Sequence, residues 1–126
     1  MNPRQEYKKL INSFKYAIEG IISSFKTERN MKIHVLAMIV VIALGLFFKL
    51  NKVEWCFIII AIASVISAEL FNTAIETVVD MVSPERNPKA KLAKDIAAGA
   101  VLVVAIGATI IGFIIFGPQI INVFNK

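Results

Sequence analysis

Glu69, Asn72, Glu76 and Asp80 follow one another at spacings of three, four and four. On an α-helix, at about 100° per residue, this spacing puts three carboxylates and an amide on one stripe. The turns before them, Trp55 to Ala68, carry no charge. A carboxylate facing hydrocarbon costs several kcal/mol, so the stripe must face a protein interior or a wet cavity, and architecture alone does not call for it. Two carboxylates in a partly dry site repel each other unless a cation or proton lies between them. Magnesium suits such a stripe: it takes oxygen ligands and is usually held by one or two carboxylates plus substrate phosphates. No His or Cys cluster points to zinc. Cys56, the only cysteine, lies in an apolar run and is read as packing, with no intrachain disulfide possible. His34, the only histidine, is read first as an interfacial helix residue and second as a substrate contact.

Positive partners follow the stripe. Lys91, Lys94 and Asp95 place two ammonium groups and a carboxylate on one side of the next helix. Lys91 is read as a topology determinant, whereas Lys94 followed by Asp95 is placed to reach phosphate oxygens. Metal-binding carboxylates with ammonium groups near a membrane surface are the parts that phosphoryl transfer uses to neutralise developing charge. There is no Gly-rich phosphate loop and no soluble-kinase signature, so a nucleotide site here is of another kind.

The elements that must position these groups are helices in a membrane. The chain has 126 residues, 57% hydrophobic and 18% charged, too apolar for an ordinary soluble domain and too short for two domains. The expected fold is all-α: an N-terminal interfacial helix over residues 4–29, then helices over 31–50, 53–82 and 90–117 that contain three transmembrane spans. Tyr7, Leu10, Ile11, Phe14, Ile18, Ile21, Ile22 and Phe25 recur at helical spacing with lysines beside them, the pattern of a helix lying in the bilayer surface. Asn51, Lys52 and Glu54 make a short turn, and Trp55 sits where an interfacial anchor belongs. Pro84 and Pro88 open the second connection, while Gly117 and Pro118 are expected to end the last helix. No cleavable signal pattern occupies the first 30 residues, so the mature protein is expected to keep its N-terminus.

The formal charge of +5 could serve nucleic acid, anionic headgroups or phosphorylated substrates, and its distribution decides against nucleic acid. Eleven Lys and Arg lie in residues 1–32 and in the second connection, against three in the first turn and the tail. The N-terminus and the second connection are thus expected in the cytoplasm and the C-terminus outside. Three helices cannot easily surround a substrate, so oligomerisation is expected.

The stretch Glu69-Leu-Phe-Asn-Thr-Ala-Ile-Glu-Thr-Val-Val-Asp80, with Ala93-Lys-Asp95 and the leader Glu28-Arg-Asn30, closely resembles the prokaryotic diacylglycerol kinase family of membrane enzymes over nearly the whole chain. The resemblance implies an ATP- and magnesium-dependent lipid kinase of the bacterial plasma membrane. It implies a homotrimer whose active sites are shared between neighbouring subunits near the cytoplasmic face. By matching position, Glu69 resembles the general base for the lipid hydroxyl, and Asn72 a residue orienting the base or the phosphoryl group. Glu28 and Glu76 resemble the magnesium ligands, and Lys94 and Asp95 the nucleotide contacts. Tyr16, Glu85, Arg86 and Asn87 resemble further parts of the nucleotide pocket. Lys9 stands where members of the family can carry arginine, which would turn a bidentate contact into a point charge.

Members of the family phosphorylate either diacylglycerol or the polyprenol undecaprenol. The leader Glu28-Arg-Asn-Met-Lys-Ile-His34 is more similar to the polyprenol branch, with diacylglycerol as the alternative substrate. Carboxylates in a membrane helix also mark proton-coupled transporters. Transport sites usually lie at the midplane between inverted repeats, whereas here the acids cluster towards one end and no repeat is visible. A scaffold without an active site would not require the polar stripe.

Overall fold

The computed structural model describes every residue from Met1 to Lys126. Four helices account for the fold, α1 (Pro3–Thr27), α2 (Arg29–Phe47), α3 (Lys52–Val82) and α4 (Pro88–Phe124), and there are no strands. The last three are long and apolar enough to cross a bilayer.

Local chemistry sets most of the boundaries. Asn2 starts α1 by accepting from the Arg4 N–H, and Gln5 reaches back to complete a capping box. Asn51 and Glu54 repeat the device at the start of α3, with both bonds at 2.9 Å. Pro88 takes the first turn of α4, where its missing N–H costs nothing, and Asn87 caps that helix through the Lys89 N–H.

Three boundaries differ from the sequence expectation. The break between α1 and α2 falls on Glu28 alone, whose extended backbone (φ −98°, ψ 121°) ends one helix and starts the next. The second helix stops at Phe47 instead of Leu50. Lys49 turns left-handed at φ 53°, its N–H donates to Leu46 and that of Leu50 to Gly45, which closes the helix in a Schellman turn and buries Leu50. The third difference is Pro118, which does not end the last helix: α4 continues through it to Phe124. The Gln119 side-chain amide donates to the Ile115 carbonyl beside the proline, the kind of local bond that lets a helix continue past a proline.

α3 and α4 form the principal pair, α2 packs on α3, and α1 touches α2 and α3. At the α2–α3 turn Leu50, Ile58, Ile115 and Phe116 make a small core with Trp55 and Phe48 against it. Gly45 permits this approach, since a Cβ there would lie 2.7 Å from Trp55 Cη2. Only 12 of 126 residues are buried, so the apolar surface of the spans is left to lipid or to other subunits.

Candidate active site

Burial along α3 follows a gradient. Glu69 is 1% exposed and Asn72 5%, Glu76 is half-buried, and Asp80 is exposed. Glu69 stands seventeen residues into α3, roughly 25 Å along its axis and so near the far side of the hydrocarbon layer from Trp55. The 3.6-residue repeat aligns the four side chains, and packing against neighbouring helices grades their access.

α1 is fastened to this helix by two hydroxyls. Ser24, 4% exposed, has its Oγ 3.5 Å from Thr73 Oγ1, which itself donates to the Glu69 carbonyl at 3.0 Å. One turn after Ser24 comes Glu28, and a cleft of about 570 Å³ between α1 and α3 is lined by Gly20, Ser24, Glu28, Thr73 and Thr77. Glu28 thus lies across a cleft from α3, on which Glu69, Asn72 and Glu76 share one face.

The polar atoms at its centre lack donors. Glu69 Oε2 and Asn72 Oδ1 are both buried and accept no hydrogen bond. His34 on α2 has its Nε2 3.7 Å from Glu69 Oε2. Buried acceptors without donors cost about 1–3 kcal/mol each, so this spot is suited to a hydroxyl proton or a cation. No three His, Cys, Asp or Glu side chains form a metal cage by themselves.

The remaining predicted residues lie outside that centre. Lys94 on α4 donates to Asp80 on α3, and Lys91 donates to Asp95 one turn away. Lys9 and Tyr16 are exposed on α1, and Glu85, Arg86 and Asn87 are exposed in the α3–α4 loop, where the Asn87 side chain is engaged as a helix cap. Nothing in the sequence pattern marks Ser24 or Thr73 or connects His34 with Glu69; a lone histidine at the start of an apolar span is the one signal for the latter.

Residues 15–116 match the model of the prokaryotic diacylglycerol kinase family. The chain belongs to that family. It is a membrane-bound lipid kinase. The kinase is 42% identical to an undecaprenol kinase of Bacillus subtilis (strain 168) across 93% of its own length and 95% of the relative's. It is 37% identical to a diacylglycerol kinase of Synechocystis across 96% of its length and 70% of the relative's. A diacylglycerol kinase of Haemophilus influenzae is 35% identical, covering 75% and 80% of the two chains.

Proposed function

We propose that the kinase phosphorylates undecaprenol with ATP, at sites shared between the subunits of a homotrimer on the cytoplasmic side of the membrane. The observation that carries this reading is the pair of buried, donorless oxygens on Glu69 and Asn72, which matches the need of a lipid hydroxyl for an acceptor in a dry place. Undecaprenol is favoured over diacylglycerol by the 42% identity to the Bacillus enzyme over almost the full length of both chains.

In the mechanism, Glu69 accepts the proton of the lipid hydroxyl as its oxygen attacks the γ-phosphorus of ATP, and ADP leaves without a phosphoenzyme. Asn72 orients the base or the phosphoryl group. Glu28 and Glu76 would hold magnesium, which when bound would offset charge on the phosphates. Lys94 and Asp95 contact the nucleotide after exchanging their present partners, an exchange that costs little because exposed ion pairs contribute about 0–1 kcal/mol. Lys9, Tyr16, Glu85, Arg86 and Asn87 complete the nucleotide pocket. The exposed apolar side chains of α1, among them Leu10, Phe14 and Ile18, lie in the interface and let lipid and nucleotide meet at one depth. The excess of Lys and Arg in the N-terminal and α3–α4 segments puts both in the cytoplasm and the C-terminus outside.

The test is a side-by-side assay of purified kinase in lipid vesicles, with labelled ATP, magnesium and either undecaprenol or diacylglycerol. Faster phosphorylation of undecaprenol is expected. Preference for diacylglycerol would transfer the assignment to the activity named for the Synechocystis relative, and labelling of neither would remove it.

A further inference from the structure

His34 stands between the two parts of the molecule that the reaction has to join. Its imidazole Nε2 is 3.7 Å from Glu69 Oε2, and the side chain is only 20% exposed. It also lines an apolar groove of about 680 Å³ between α2, α3 and α4, with Met38, Ile62, Val65 and Ala105 among its neighbours. Glu69 Oε2 accepts no hydrogen bond. A separation of 3.7 Å is a few tenths of an ångström beyond a hydrogen bond, and contacts of this kind commonly tighten once substrate is bound.

We propose that His34 is a positioning residue for Glu69: its N–H holds Oε2, so that the carboxylate is fixed with its remaining accepting capacity turned to the lipid hydroxyl. This rests on the reading of Glu69 as the base. The reason to hold it is geometric. A carboxylate at the end of a long side chain in an apolar wall has several rotamers, and misplacing a reacting group by about 1 Å can cost 10²-fold in rate. The other face of the imidazole meets the groove, so an apolar replacement keeps the wall and removes only the donor.

Four variants test it: His34→Leu and His34→Met fill the wall without a donor, His34→Gln restores an N–H, and Glu69→Gln is assayed in parallel. At saturating ATP and lipid, we expect His34→Leu and His34→Met to lose about 10- to 100-fold in kcat. KM for ATP should stay within about twofold and the melting temperature close to that of the parent, while His34→Gln recovers most of kcat. Two apolar variants guard against one failing to fold. Parental kcat in the apolar variants, a His34→Gln enzyme as slow as they are, or a loss confined to KM for ATP would each overturn the proposal. Full activity of Glu69→Gln removes the base itself, whereas an inactive Glu69→Gln beside an unimpaired His34→Leu removes only the role of His34.

Discussion

Lys94 on α4 donates to Asp80 on α3, about three turns beyond Glu69 on the same face of α3. This pair ties the two principal helices together at the solvent end of the polar stripe, while the buried end is left with acceptors and no donors. Charge is satisfied where water reaches it and left unsatisfied where the proposed chemistry takes place.

Changing Glu69 to Gln removes the base but keeps the shape of the side chain. We expect lipid phosphorylation to fall by about 10²–10⁴-fold with the fold retained, measured as labelled phosphate transferred to lipid alongside a thermal melt. Parental turnover in this variant would remove the assignment.

Glu28 lies in the break between α1 and α2 and Glu76 lies on α3, so each should matter separately to the metal. In Glu28→Gln or Glu76→Gln the magnesium concentration for half-maximal activity should rise about tenfold or more. A chelator should stop the parent enzyme and added magnesium restore it. An unchanged magnesium titration in both variants would count against these ligands.

The Lys94–Asp80 pair separates stability from activity. Both side chains are substantially exposed, at 36% and 64%, so Asp80→Asn should change unfolding free energy by less than about 1 kcal/mol. Lys94→Met should have an equally small effect on stability but a large one on turnover and on KM for ATP. Equal activity in the two variants would confine Lys94 to a structural contact.

Two neighbouring positions in the α2–α3 corner should respond in opposite directions. Gly45→Ala puts a Cβ 2.7 Å from the Trp55 ring and should destabilise by about 1–3 kcal/mol through overpacking. Lys49→Gly relieves a left-handed backbone at φ 53° and should stabilise by about 0.5–1 kcal/mol. Denaturant titration followed by the fluorescence of the single tryptophan measures both.

The sequence alone determined the three spans and the alignment of Glu69, Asn72, Glu76 and Asp80. These depend on hydropathy and a 3.6-residue repeat, which act within a few residues. Only the tertiary structure decided that Ser24 and Thr73 join α1 to α3, that Glu28 is the single residue between two helices, that His34 faces Glu69, and that Lys94 turns to Asp80. These depend on how each helix is rotated and how deeply it is set against its neighbours, which packing fixes and local periodicity leaves free. Pro118 differs from both groups: a proline is expected to end a helix, yet it removes only one backbone bond, and α4 continues through it to Phe124.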